Sequence, residues 1–264
     1  MQEIVSFLYT DALKQYLKEL KDKISSGKPN TDCLRASSSG HCARKLWYQY
    51  HNTSPKLLNE FNDRDMPAED WISLHKKKSR LMFTFELGYL IEDQLVKRLG
   101  DKIYGSQKEL DINIGKHKIS GHIDGLFKDS RGEEWIIDFK SINTKSYNYE
   151  VKKGKIDYAY KCQAHCYMYK LDIPRFKFVY YDKNKSDMME VDLYYGQEII
   201  DQVQERFDKV TSDNIPEREV DIKGKDKWKC SYCNYFDTCY KGIYKMVPNG
   251  KGSYTIVEDN LYEM

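Results

Sequence analysis

The apolar positions of this chain change period twice. Over residues 1–25, Ile4, Val5, Leu8, Leu13, Leu17, Leu20 and Ile24 recur near helical spacing and predict an amphipathic helix. The polar stretch SSGKPNTD ends it, and SSSGHCARKLWYQY then reads as a short helix capped by serine. Residues 51–70 hold Asn, Asp and Pro and read as a loop, after which RLMFTFELGYLIEDQLVKRLG returns to a helical period and stops at Gly100. From about Gly105 the pattern alternates. QKELDINI, HKISGHIDGLF and EEWIIDFKSI predict three strands in an antiparallel meander, with Gly115 and the DSRG stretch supplying the turns. Residues 158–171 predict a helix, and RFKFVYYD and MMEVDLYY two more strands around KNKSD. GQEIIDQVQERFDKVTS predicts another helix, followed by a cysteine stretch and a polar tail. The expected organisation is a helical region over 1–80, an α/β core over 81–215 and a cysteine region over 216–264, together one compact unit.

Composition narrows the class. The 264 residues, 40% hydrophobic and 32% charged, suit a soluble globular chain. No apolar run approaches the roughly 18–20 residues that cross a membrane, and the N-terminus lacks the order of a signal peptide. The expectation is a cytoplasmic protein of a bacterial, archaeal or phage-infected cell, with no membrane partner. A net charge of +2 places any nucleic-acid binding in local patches. The basic runs at 75–80 and 152–155, Arg44 and Lys45, and Trp47 and Tyr48 as stacking rings are the candidates, although basic runs are more often solvated faces.

The predicted strands carry the chemistry. GHIDG places Asp124 in a strand between two glycines, and fourteen residues later IIDFK brings Asp138 and Lys140. In a strand, i and i+2 share a face, so Asp138 and Lys140 project together while Ile137 and Phe139 face the other way. Paired in register, Asp124 lies beside them. Two carboxylates on one face repel unless a cation sits between them. Oxygen ligands favour Mg²⁺ or Mn²⁺, which acidify bound water and clamp a phosphate oxygen. A neighbouring lysine can orient that water or offset charge on the transition state. On two helices, Glu92 lies four residues after Gly88, and Tyr167 four after Gln163, each pair on one face. The bland alternative is a charged hairpin beside ordinary helix faces.

Together these motifs resemble the PD-(D/E)XK nuclease superfamily, most closely its RecB-like branch with cysteine clusters, which includes the CRISPR-associated Cas-four nucleases. The family order is matched by Gly88 with Glu92, Gly121 with Asp124, Asp138 with Lys140, and Gln163 with Tyr167. The RecB-like branch usually has His where this chain has Glu92, which is more like the phage-recombination exonucleases. His122 lies two residues before Asp124 and reads as a strand surface residue.

The resemblance implies a restriction-endonuclease-like core, a mixed central sheet flanked by helices. Glu92, Asp124, Asp138 and the Phe139 carbonyl are the implied ligands of Mg²⁺ or Mn²⁺. Lys140 positions the water, and Gln163 and Tyr167 support the lysine or the nucleotide.

WKCSYCNYFDTCYKG adds three soft ligands, Cys230, Cys233 and Cys239, in a C-x2-C-x5-C spacing that does not close a tetrahedral site. The resemblance supplies the fourth as Cys42, in C-x-R-K-x-x-Y surroundings. Four thiolates suit a 4Fe–4S cluster or a structural Zn²⁺ joining the ends of the chain. Cys33 is a rival fourth ligand, while Cys162 and Cys166 read as buried helix thiols. The implied activity is a metal-dependent DNA exonuclease acting on single strands or ends, in recombination, replication, repair or CRISPR adaptation and with a partner protein from one of these. The alternatives are a non-catalytic DNA-binding subunit on the same fold and a zinc-stabilised adaptor.

Overall fold

The structure is a computed structural model that describes residues 3–22, 30–55, 68–224, 226–248 and 254–259. The helices are α1 (Glu3–Asp22), α2 (Ala43–Tyr50), α3 (Ala68–Leu99), α4 (Thr144–Tyr149), α5 (Tyr158–Leu171), α6 (Gln197–Val210), α7 (Lys227–Ser231) and α8 (Phe236–Cys239). The strands are β1 (Ile103–Tyr104), β2 (Lys108–Ile114), β3 (His117–Ile123), β4 (Gly125–Lys128), β5 (Glu134–Ile142), β6 (Arg175–Asp182), β7 (Asp187–Tyr194), β8 (Tyr244–Pro248) and β9 (Tyr254–Glu258). The chain divides into two compact units. One holds Thr31–Leu46 and Leu87–Ile215, the other Met1–Asn30, Trp47–Glu86 and Pro216–Met264.

The first unit is built on a five-stranded sheet of order β1-β4-β5-β6-β7. β5 and β6 pair in parallel, and the other neighbours pair antiparallel. The sheet is therefore mixed, with helices against both faces, as the resemblance implies. A parallel pair needs a long crossover, here α4 and α5. Asp157 opens α5 by accepting the Ala159 N–H at 2.8 Å, and Asp172 closes it in the left-handed conformation.

Alternation along β6 separates the two faces. Phe176, Phe178 and Tyr180 are buried on the α5 side, where Tyr167 stacks on Phe176 and Tyr160 lies against Phe178. Val179 joins Ile137, Phe139 and Ile103 on the other side, packed against Leu95, Val96 and Leu99 of α3. α6 turns Ile200, Val203, Phe207 and Val210 inward, at the spacing of one helical stripe. Its Asp208 meets buried His117 at 2.9 Å, tying the helix to the separate β2–β3 hairpin.

The second unit packs around Ala12, Leu13, Leu17 and Leu20 of α1, with Tyr48 stacked on Tyr235 and the Tyr16 hydroxyl donating to Asn234 at 2.8 Å. Ile4, Val5 and Leu8 share the helix but are exposed, and Ile24 lies outside the described residues.

Four expectations are corrected. The three-strand meander is broken at Asp124, which sits in the bend between β3 and β4 rather than inside a strand. β3 stays with β2 while β4 joins the main sheet. α3 begins at Ala68, inside the stretch read as a loop, while residues 56–67 of that stretch lie outside the described residues. The short helix α2 is preceded by Cys42, and the serines form a 3-10 turn over Ala36–Ser38 instead of its cap. The polar tail contains the β8–β9 hairpin, because Lys245, Val247, Thr255 and Val257 supply alternating strand-forming positions.

Two glycines are fixed by close approach. A Cβ on Gly40 would lie 2.4 Å from the Ala159 Cα at the start of α5, and one on Gly121 would lie 2.4 Å from the Tyr167 ring. Gly88 differs, since its Cβ would make only an ordinary 3.6 Å contact with the Ser141 hydroxyl. Gly40→Ala is expected to lower stability by about 1–3 kcal/mol through overpacking against backbone. Gly88→Ala is expected to match or exceed the wild type, because alanine favours a helix interior by about 1 kcal/mol. Urea denaturation of both variants tests the contrast; equal losses would contradict it.

Candidate active site

The site lies where two paired strands part. β4 stays with β5 as far as Gly125 opposite Ile137. The chain before it turns at Asp124 into β3, which belongs to the other sheet, while β5 runs on through Asp138, Phe139 and Lys140. A buried backbone N–H left on that edge needs an acceptor. Asp124 provides it, its Oδ2 accepting the Phe139 N–H at 2.7 Å. The N–H and C=O of one strand residue point to the same edge, so the Phe139 carbonyl opens onto the same notch.

Asp138 and Lys140 project from β5 toward α5. Lys140 Nζ stands 2.5 Å from Asp138 Oδ2, with only 3% of the Asp138 side chain exposed. The charge of Asp138 and its hydrogen bond both favour the protonated lysine. On its α5 side the ammonium donates to Gln163 Oε1 at 3.5 Å, and Gln163 Nε2 donates to the Tyr167 hydroxyl at 3.2 Å. The Tyr160 ring centroid lies 4.9 Å from the same ammonium. Glu92 reaches the notch from α3, half-buried, and its carboxylate accepts a hydrogen bond from the Gln107 side chain.

The electrostatics of the notch disfavour negative charge. Burial holds the Asp124 carboxyl well above the ordinary carboxylate range, and the charges of Asp138 and Glu92 push the same way. Burial raises Asp138 too, against the pull of Lys140. Glu92 is raised by burial and then by Asp138. Burial alone would make Lys140 easier to deprotonate, but Asp138, Asp124 and Tyr160 outweigh it and hold the ammonium charged. Burial pushes the Tyr167 phenol up to about 12, so it serves as a hydrogen-bonding group and not as a base.

The expected positions Glu92, Asp124, Asp138, Phe139, Lys140, Gln163 and Tyr167 therefore come to one place. A model of the PD-(D/E)XK nuclease superfamily matches residues 11–240. The chain belongs to the PD-(D/E)XK nuclease superfamily. Among solved structures it is similar to that of SSO0001, with 16% identity over 84% of this chain and 93% of that one and a TM-score of 0.48. It is also similar to LHK-Exo in complex with dAMP, with 14% identity over 66% of this chain and 90% of that one and a TM-score of 0.39. A second structure of LHK-Exo, an alkaline exonuclease from Laribacter hongkongensis, has 17% identity over 56% of this chain and 81% of that one and a TM-score of 0.35. Comparison with curated proteins returns no match.

PD-(D/E)XK nucleases generally use divalent ions such as Mg²⁺ or Mn²⁺. The donors of the notch fit such an ion in kind, being oxygens only and short of positive charge. Among the described residues, no three Asp, Glu, His or Cys side chains converge to hold a metal as they stand. In the notch each carboxylate is turned to its own partner: Glu92 to Gln107, Asp124 to the Phe139 N–H, and Asp138 to Lys140.

The remaining candidates lie elsewhere. Cys42 belongs to the first unit, and Cys230, Cys233 and Cys239 to the second. Those three are half-buried around α7 and α8, with the Tyr240 phenol beside Cys230 and Cys239. Cys162 and Cys166 are buried in α5 as expected, and Cys33 is half-buried with its thiol 3.9 Å from the Leu46 carbonyl. His122 is on the hairpin surface, 4.0 Å from Glu109. Lys152 and Lys153 lie over the Tyr147 and Tyr149 rings, outside the notch network. The side chains at 75–78 in the other basic run lie outside the described ones. Sequence reasoning missed Tyr160 and Gln107. Tyr160 was legible as the residue three before Gln163 and seven before Tyr167, on the same helical face. Gln107 was not, because a turn in the left-handed conformation brings it to Glu92.

A carboxyl whose pKa is raised by folding stabilises the fold below its unfolded value, and that contribution is lost as pH rises through the folded value. In chelator, the melting temperature is therefore expected to fall as pH rises from about 4 through the raised Asp124 value. Asp124→Asn keeps an acceptor for the Phe139 N–H but no charge. It should melt higher at neutral pH, by about 2–4 °C per kcal/mol relieved, with a flatter pH profile. A lower melting temperature at neutral pH would contradict this.

Proposed function

We propose that the protein is a Mg²⁺- or Mn²⁺-dependent deoxyribonuclease that hydrolyses phosphodiester bonds. The observation that carries this reading is the open edge of β5, where Asp138 pairs with the ammonium of Lys140, the charges of Asp124 and Glu92 act on the same ammonium, and the Phe139 N–H is capped by Asp124. Glu92, Asp124 and Asp138 would hold the ion, with the Phe139 carbonyl as a further oxygen. When bound, such an ion polarises a phosphate oxygen and makes water a stronger nucleophile. Lys140 orients the attacking water and offsets charge gathering on the phosphate. Gln163 restrains Lys140 from α5, and Tyr167 restrains Gln163.

Exonuclease action on single strands or ends, membership of the RecB-like, Cas-four-like branch, and a role in recombination, replication, repair or CRISPR adaptation all rest on the sequence resemblance. Glu92 in place of the usual histidine weighs toward the phage-recombination exonucleases within that comparison. For the cysteines, the proposal is a 4Fe–4S cluster held by Cys42, Cys230, Cys233 and Cys239, with Zn²⁺ as the alternative. The support is four thiolates, of which three lie within ten residues.

End-labelled single- and double-stranded DNA, incubated with Mn²⁺, Mg²⁺ or chelator, tests the activity. Metal-dependent cleavage should fall by at least about 10² in Lys140→Ala. Absence of cleavage by folded protein would favour the DNA-binding-subunit reading. Protein purified without oxygen should be brown, contain about four irons per chain and lose its colour in Cys239→Ala. A colourless protein with stoichiometric zinc would reverse the cluster assignment.

A further inference from the structure

The lysine of the notch has a support that its motif does not contain. Tyr160, Gln163 and Tyr167 occupy one face of α5 at the spacing i, i+3, i+7, and all three are turned toward β5 and β6. Tyr167 is fully buried and touches the lysine only through Gln163. Tyr160 is half-buried, lies against Phe178, and presents its ring 4.9 Å from Lys140 Nζ. Besides the ring, the ammonium meets Asp138 at 2.5 Å and the Gln163 carbonyl oxygen at a long 3.5 Å, and it feels the charges of Asp124 and Glu92.

These partners differ in what else they must do. Under the proposed function, Asp138 is a metal ligand and shares its charge with the ion. Gln163 gives one weak hydrogen bond. The ring face of Tyr160 attracts a cation through its quadrupole, spends no lone pair and competes for no metal. It therefore keeps hold of the ammonium whatever Asp138 does.

We propose that Tyr160 is a positioning residue for Lys140, acting through its ring face and not its hydroxyl. The assignment of Lys140 to the reaction rests on the proposed function, while the Tyr160–Lys140 contact stands on geometry alone. Two variants separate ring from hydroxyl: Tyr160→Phe keeps the face, and Tyr160→Leu keeps apolar packing on Phe178 but removes the face.

The first measurement is single-turnover cleavage of end-labelled DNA in Mn²⁺, with DNA affinity and melting temperature recorded for each variant. Tyr160→Leu should slow the cleavage step by about tenfold, the size of a partly desolvated cation–π contact, without weakening DNA binding. Tyr160→Phe should stay within about twofold of wild type, as the same contact predicts for an intact ring. An unchanged rate in Tyr160→Leu, or an equal loss in both variants, would overturn the proposal.

The second measurement needs no activity. In protein carrying ¹³C-labelled lysine, the Lys140 Hε signal, assigned by its loss in Lys140→Met, should be shifted upfield by the ring in wild type and in Tyr160→Phe. It should return toward the ordinary lysine position in Tyr160→Leu. An unshifted wild-type signal would overturn the proposal by itself. Should the wild-type protein cleave nothing, the nuclease reading fails, and the ring-current shift alone then decides whether Tyr160 holds the lysine.

Discussion

The hydrogen bond from the Phe139 N–H to the Asp124 carboxylate is the point on which the rest of the site depends. A strand that loses its neighbour leaves polar backbone without a partner. Here the departing chain closes that gap with its own side chain. One acid thereby fixes the angle at which β3 leaves β4, satisfies β5, and places a charge beside Asp138. The notch stays open to Glu92 from α3 because the β4–β5 ladder stops at Gly125 opposite Ile137 and no further residue of β4 continues it. A side chain able to cap the N–H without a charge would keep that hydrogen bond and remove the electrostatic tension on which the proposed cation site rests.

That tension runs against stability. Three carboxyl groups are held above their ordinary range, Asp124 and Glu92 by burial and neighbouring acids, Asp138 by burial against the pull of Lys140. A region selected for folding alone would replace these acids by apolar or amide groups. Three acids that meet at the edge of a packed sheet, one from β5, one from the bend before β4 and one from α3, are the feature on which the proposed function draws.

Much of this was legible because it is local. The i, i+2 relation of Asp138 and Lys140 and the i, i+4 relations of Gly88 with Glu92 and Gln163 with Tyr167 follow from strand and helix geometry. The mixed sheet followed from the order of the predicted elements and the family likeness. The break at Asp124 was not legible, since HKISGHIDGLF alternates without interruption and only tertiary pairing divides it between two sheets. Gly121 gave a hint that could be read only afterwards. Its missing side chain is the space that the Tyr167 ring occupies, a contact between residues 46 positions apart. The C-terminal hairpin was missed because its short strands carry lysine and glutamate beside their apolar positions.

The parallel pairing of β5 with β6 also sets how much chain separates the parts of the notch. No tight turn can join parallel strands, so the connection from β5 to β6 is long, and it carries α5 with Gln163 and Tyr167 back over Lys140. Asp124 and Asp138 lie fourteen residues apart across an antiparallel hairpin and need no such connection. The pairing of Asp124 with the β5 edge is thus the local part of the notch, whereas Glu92 from α3 and Gln163 from α5 reach it across longer stretches of chain. A chain in which only the β4–β5 hairpin has formed would hold Asp124 beside Asp138 and Lys140 but would have neither Glu92 nor Gln163 in place.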